Sequence, residues 1–503
     1  MDIIKLEIKP ITNKMKIEAI PVFTPLGTLF LIQEALSINS RISLIMNQRN
    51  VARISGSIIP FPMMRRVITQ KIIKNISPIF CNFILDFNSV SLKVHKNSCF
   101  TIKKEYPLKK FEIPEKYKAS IIGEIKEKRK SEDRMKKDFS PSKLEFDGVE
   151  FVLARHFGFC YGVENAVEKV YKVLDDFPEK RIYLLSQMIH NPTVNEDLLD
   201  RGIKFIMDTK GNQLVPWETI SSEDIVLIPA FGTTLEIEEI LKEKGVVSKD
   251  YDTTCPFVEK VWNRSEKLGE KDYTIIIHGK AAHEETRATF SHSSQNGKSV
   301  IVKDIKEAKL LAQFIDKQLP PEDFYSFFEG KYSPGFDPYT DLEKVGVVNQ
   351  TTMLATETHE ISQYFKNKMT SVFGEEELSN HFADTRDTLC YATNDNQKAT
   401  LELMKEEGDF AVVVGGYNSS NTMHLVELLE QKFPTFFVQN AEKIVGKNCI
   451  NHFDIHTKEE KTTDFISKFN KEKIKVIITC GASCPDSVLN QVIEKIVYVV
   501  NQP

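Results

Sequence analysis

The stretch VEFVLARHFGFCYGVENAVEKVYKVLDDF, residues 149–177, reads as a strand (Val149–Ala154), a glycine-containing turn around Cys160 and a helix from Val163 to Phe177. A short apolar run that ends in a Gly-bearing turn and passes into a helical segment is the βα half of a parallel α/β unit. The alternation continues outward from it. RIYLLS, DIVLIPA, YTIIIHG, KSVIVKD, KVGVVNQ, DFAVVVGG, TFFVQN and IKVIITCG are further strand candidates, most followed by a polar turn and a helical stretch. This order predicts an α/β fold with mostly parallel sheets covered by helices.

At about 100 to 200 residues per domain, the chain of 503 residues has room for two to four. Its net charge of −5 conceals two populations: residues 1–104 hold 15 Lys+Arg and 5 Asp+Glu, the remaining 399 hold 51 and 66. An acidic body argues against a nucleic-acid partner, which would need a basic face. Eight cysteines are too dilute for a disulfide scaffold and point to a reducing compartment. The run Ile20–Ile32 contains two prolines and a glycine and falls short of the ~20 residues of a spanning helix, so no membrane span is expected. Residues 1–110 are an unassigned basic, Ile-rich extension, with a transit-peptide-like composition that translated upstream DNA would share. The location expected is cytoplasmic, with the plastid stroma as the alternative if the extension is a transit peptide. Beyond it the expected order is a solvated, charged helical arm (111–147) and three α/β domains (148–254, 255–380 and 381–503). The second has an insertion loop near 318–342, rich in Pro, Gly, Asp and aromatics.

Candidate functional residues recur just past the C-terminal ends of strands, where open α/β sheets present ligand sites. Cys160, Cys255 and Cys390 sit in turns 95 and 135 residues apart, none in a CxxC pair, which disfavours structural zinc. Three thiolates converging from three segments could hold three irons of a 4Fe-4S cluster and leave the fourth open. Equally they could be small buried apolar residues, and spacing alone favours that reading. Ser419, Ser420 and Asn421, after the Gly-rich turn that follows DFAVVV, lie where a helix begins and form either a phosphate cradle or a decorated N-cap. His190 in MIHNPTVN and His283 beside Glu284 and Glu285 suit anion binding with carboxylic-acid proton delivery, or a surface pair. NQTT (Asn349–Thr352) supplies small hydroxyls, and CGASC (Cys480–Cys484) suits a backbone anion nest, with both its cysteines structural.

Taken together, GFCYGVENAV, IHNPTVN, DTTCPFVEKVW, IIIHGKAAHEETRAT, NQTT, TLCYATNDNQ, NSSN and GASCPD follow an order that resembles the 4-hydroxy-3-methylbut-2-enyl diphosphate reductase family of the methylerythritol phosphate route, over about residues 111–503. The plant and cyanobacterial branch is the most similar. The resemblance implies a cloverleaf of three α/β domains around one 4Fe-4S cluster on Cys160, Cys255 and Cys390, which reverses the odds set by spacing. It implies an allylic diphosphate substrate bound by His190, His283, Ser419, Ser420, Asn421 and Ser483. Glu285 rather than Glu284 would deliver the proton, Thr351 would lie near the substrate hydroxyl, and ferredoxin or flavodoxin would donate electrons. One departure stands out: where many members carry an Ala-His-Gly turn, this chain has Phe231, a change shared by the plant-like branch. A catalytically silent diphosphate-binding or regulatory protein of the same fold is the competing reading, and the intact cysteines and Glu285 count against it. A zinc hydrolase is weaker still, for want of an HExxH or paired-Cys signature.

Overall fold

The structure, a computed structural model, describes residues 111–133, 137–385, 388–464, 466 and 472–502, together with short strands within 1–110. The chain divides into two units, Met1–Lys110 and Phe111–Pro503. In the first, the described residues form short antiparallel pairs such as Val51–Ile54 with Ser57–Pro60. The transit-peptide and upstream-DNA readings of this segment fall outside the described residues.

The second unit carries three α/β sheets. Thr435–Val438, Phe410–Val414, Ile474–Cys480, Val149–Leu153 and Ser142–Phe146 lie side by side in that order, all parallel except the last. Lys204–Phe205, Ile182–Leu184 and Ile225–Leu227 form a parallel sheet of three. Ser299–Val302, Thr274–His278, Val345–Asn349 and Phe382–Ala383 form a parallel sheet of four. Central strands read as unbroken apolar runs because both faces are covered: every residue of Thr274–His278, Val345–Asn349 and Phe410–Val414 is buried. The edge strand Ser142–Phe146 instead alternates between exposed and half-buried residues. All nine strand candidates read from the sequence are strands.

The topology departs from the expected boundaries. Val149–Leu153 pairs in parallel with Ile474–Ile478, so the strand that leads into the Cys160 turn belongs to the sheet of the chain's last segment, and the first domain's own sheet starts only after Cys160. Phe382–Ala383 likewise pairs with Val345–Gly346, within the second sheet, not the third domain. Both shifts have one cause: a parallel strand needs a distant partner, and local pattern does not say which. An antiparallel meander, Ile444–Gly446, Cys449–Asp454 and Glu459–Thr463, is an addition that the alternation did not foreshadow.

The stretch 318–342 is more than an insertion loop. It contains the helix Pro321–Phe327 and drives Phe324, Phe328, Phe336 and Leu342 into the core beneath Val300, Val302 and Phe365, with Phe324 and Phe336 stacked at 4.9 Å. The charged arm also differs from expectation. Its helix, Ser120–Glu132, buries Ile122 completely and Arg129 almost so. The Arg129 guanidinium donates to the carbonyls of Ala154 (2.8 Å) and Arg155 (2.7 Å) and to Ser142 Oγ (3.1 Å), while Lys126 pairs with Asp486 Oδ1 (2.6 Å). The arm thus satisfies the carbonyls where the chain leaves Val149–Leu153 for the Cys160 turn. Arg129→Met keeps the aliphatic stem but strands those carbonyls, and is expected to cost on the order of 2–3 kcal/mol, seen as a lowered urea midpoint. Lys130→Met, on the exposed face, should leave the midpoint unchanged.

Candidate functional site

Each of three cysteines occupies the N-cap of a helix: Cys160 before Tyr161–Asp176, Cys255 before Pro256–Gly269 and Cys390 before Tyr391–Leu403. A helix start directs free N–H groups and the positive end of its dipole at the thiol. Thr393 N–H donates to Cys390 Sγ (3.2 Å), and Gly162 and Val163 do the same service for Cys160. The three side chains converge. Burial first, then the neighbouring thiols, push Cys390 up to about 12; burial, opposed by the Phe257 N–H and reinforced by Cys160, pushes Cys255 up to about 12. Gly162 is the close neighbour of Cys255, for a Cβ there would lie 2.5 Å from its Sγ.

Every one of these cysteines is also tied by its own N–H to a loop at a strand end. Cys160 donates to Ala482 O (3.3 Å), Cys255 to Ala230 O (3.0 Å) and Cys390 to Thr351 O (3.3 Å). The last loop leads to the carboxyl group. Thr351 N–H donates to Glu285 Oε1 at 2.5 Å, and both residues are buried. Burial raises the Glu285 carboxyl to about 7, against the pull of the Thr351 hydrogen bonds. Glu284, its neighbour in the first turn of Glu284–Asn296, faces elsewhere: it accepts from Ser186 Oγ and meets His190 Nε2 at 2.7 Å. Adjacent carboxylates thus have separate environments, one poised to hold a proton and the other committed to a histidine.

A wall of unused donors lies alongside. His283 caps the same helix, its Nδ1 accepting from Glu285 N–H (3.2 Å), so the ring proton of the neutral form sits on Nε2, which is buried and has no partner among the described residues. Burial, with His190 next, lowers its proton affinity well below that of a free histidine. Ser419 caps Ser420–Leu429, accepting from Thr422 N–H (3.3 Å) and Thr422 Oγ1 (2.9 Å), which leaves its own hydroxyl hydrogen free. Ser420 Oγ and Asn421 Nδ2 are buried with no partner among the described residues, while Asn421 Oδ1 accepts from Ala482 N–H (3.0 Å). Buried donors of this kind are groups that a bound ligand or an ordered water would satisfy. His190 lies edge-on to His283 at 5.0 Å and stacks on Phe231 at 4.1 Å. Ser483 is in the same cluster, but its hydroxyl donates to His190 O (3.0 Å).

The anion nest read into CGASC does not form. Gly481 N–H donates to Val414 O, Ala482 N–H to Asn421 and Cys484 N–H to Gly481 O, while Cys480 and Cys484 are buried in the apolar core. Sequence reasoning passed over Gln350, whose Oε1 accepts from Lys280 N–H (3.2 Å) and Thr286 Oγ1 (3.0 Å), and Gly162. Position beside NQTT and GFC was the signal available for each.

The profile of the family described as LytB protein matches residues 151–497. The chain belongs to the LytB family. A protein of Trichormus variabilis named 4-hydroxy-3-methylbut-2-enyl diphosphate reductase is 39% identical over 386 residues, covering 76% of this chain and 90% of that protein. One of the same name from Rippkaea orientalis is 42% identical over 349 residues, covering 69% and 84%. The solved structure of the E-1-hydroxy-2-methyl-but-2-enyl-4-diphosphate reductase from Plasmodium falciparum superposes with a TM-score of 0.51 at 22% identity, over 71% of this chain and 90% of that one, and so shares its fold. Within the LytB framework Phe231 has a definite task here: its ring fixes the plane of His190, and the carbonyl of Ala230 before it anchors Cys255. Gly162→Ala should favour the helix by roughly 1 kcal/mol yet displace Cys255. The expected outcome is an unchanged or higher melting temperature with reduced iron content after anaerobic purification.

Proposed function

We propose that this chain catalyses the two-electron, two-proton reductive dehydroxylation of (E)-4-hydroxy-3-methylbut-2-enyl diphosphate, giving isopentenyl and dimethylallyl diphosphates and water. The observation that carries the reading is the convergence of three N-cap cysteines with a buried, proton-holding Glu285, linked through Thr351. The cysteines suit a 4Fe-4S cluster better than a single ion. Among the described residues no three His, Cys, Asp or Glu side chains close on one metal ion. In a cluster each thiolate takes a different iron, and thiols that burial keeps protonated become thiolates only when a cation compensates them. When bound, that cluster would supply single electrons and a Lewis-acidic iron with an open position.

The chain's own residues do the rest. Ser419, Ser420, Asn421 and His283 would donate to the diphosphate through hydrogens that have no acceptor among the described residues. Ser483 acts through the backbone of His190, and Glu284 holds the His190 ring. Thr351 sits between Glu285 and Cys390, where its hydroxyl would orient the substrate alcohol as Glu285 delivers a proton to the departing water. Burial excludes bulk water from this transfer. Ferredoxin or flavodoxin would bring the electrons.

Anaerobic assay with the hydroxymethylbutenyl diphosphate and a reduced donor tests the reading; an iron-loaded chain without turnover would sink it. Glu285→Gln is expected to keep its iron and lose at least about 100-fold in kcat, whereas Glu284→Gln should retain most of kcat. Because the acid form of Glu285 is required and its carboxyl titrates at about 7, kcat should fall as pH rises through that value, and this limb should vanish in Glu285→Gln. Cys255→Ser should prevent stable iron loading; Cys484→Ser, in the apolar core, should leave most activity.

A further inference from the structure

In a capping box, the side chain three residues after the N-cap reaches back to the backbone N–H of the N-cap. At the start of Ser420–Leu429 that N–H is already taken, since Ser419 N–H donates to Gly416 O (3.0 Å). Thr422, in the third helical position, turns its hydroxyl to the N-cap side chain instead. Thr422 Oγ1 donates to Ser419 Oγ (2.9 Å), which also accepts from Thr422 N–H (3.3 Å). A hydroxyl oxygen has two lone pairs and one hydrogen. With both lone pairs engaged by Thr422, Ser419 can act toward a further group only as a donor. Thr422 is in turn held by the sheet beneath it. It is fully buried against Gly415 and Gly481, which follow the neighbouring parallel strands Phe410–Val414 and Ile474–Cys480. A Cβ on Gly481 would stand 2.0 Å from Thr422 Oγ1, and one on Gly415 2.7 Å from it. Two adjacent strand ends thus lack side chains where the Thr422 hydroxyl sits. The slot adjoins Ser420 Oγ and Asn421 Nδ2, both buried with no partner among the described residues.

We propose that Thr422 is a positioning residue for diphosphate binding: slotted against Gly415 and Gly481, it saturates the Ser419 oxygen and so commits the Ser419 hydroxyl to donate to a phosphate oxygen. The inference rests on the reductase reading and deepens it. A serine with an open lone pair serves a donor or an acceptor equally well. One that can only donate is matched to an anion, and a hydrogen bond to a charged acceptor is about twice as strong as a neutral one. Thr422 does this through Ser419 and without touching the ligand.

The test uses the full chain, purified anaerobically, with inorganic pyrophosphate titrated by calorimetry and with steady-state kinetics on the hydroxymethylbutenyl diphosphate. Thr422→Val keeps the shape and the backbone N–H but removes the hydroxyl. It is expected to weaken pyrophosphate binding and raise KM by about fivefold, with kcat within about twofold and iron content unchanged. Thr422→Ser, which retains the hydroxyl, should restore most of the affinity. Ser419→Ala should weaken binding by about tenfold, and adding Thr422→Val to it should weaken it no further, because the two act as one. Wild-type affinity in Thr422→Val, an undiminished Thr422→Val effect in the Ser419→Ala background, or a defect confined to kcat or iron content would overturn the proposal. Thr422→Ala carries the same expectation should the valine variant not fold. A wild-type chain that loads iron but does not turn over would instead overturn the reductase reading, while the pyrophosphate titrations still judge Thr422; one that does not bind pyrophosphate would overturn both.

Discussion

Three backbone hydrogen bonds hold the centre of this protein together: the N–H groups of Cys160, Cys255 and Cys390, each donating to the carbonyl of a strand-end loop. Those loops also carry, or adjoin, the candidate site residues. Ala482 precedes Ser483, Ala230 precedes Phe231, and Thr351 itself reaches Glu285. A thiol cannot shift without moving a substrate loop, and a loop cannot shift without moving a thiol. The three parallel sheets deliver their strand ends to one place, and the N-caps lock them there.

Burial then divides labour between neighbours. Glu284 and Glu285 are consecutive in a first helical turn, so their side chains point about 100° apart, as 3.6 residues per turn requires. One meets His190 and Ser186; the other accepts from the Thr351 N–H in a dry setting. Desolvation raises the second to about 7 and makes it an acid at working pH. On the reductase reading, the same dryness lets an acidic chain take an anionic substrate: donors with no partner among the described residues would act in a low-dielectric pocket, while net charge at the surface is screened.

Much of the fold was legible because covered parallel strands must be apolar throughout, and runs such as FAVVV and TIIIH announce themselves. Their partners were not legible. Nothing local in VEFVL says that it joins IKVIITC more than 300 residues later, and the placement follows from which apolar edges remain to be covered. Charge misled in the arm, where Arg129 is a buried capping group for stranded carbonyls and not a solvated face. Aromatic content misled at 318–342, where the phenylalanines fill the core of the second sheet. Glycine content misled at CGASC, for a nest needs free N–H groups and these are consumed by Val414, Asn421 and Gly481. The individual cradle residues were visible in sequence as helix starts, but only geometry shows which of their atoms lack partners.

The cysteines fall into two environments that spacing does not separate, and they differ in what the backbone does next. Cys480 ends a strand and Cys484 packs among Val488, Leu489 and Val492; the two thiols bond to each other, and burial raises Cys484 well above an ordinary thiol. Cys160, Cys255 and Cys390 each turn directly into a helix, so each sulfur receives N–H groups and a positive helix end that favour its charged form. In the isolated protein burial still outweighs that help, and the thiols remain high. A bound cation would tip that balance, and most of all for Cys390, whose thiol both Cys160 and Cys255 now hold up by proximity.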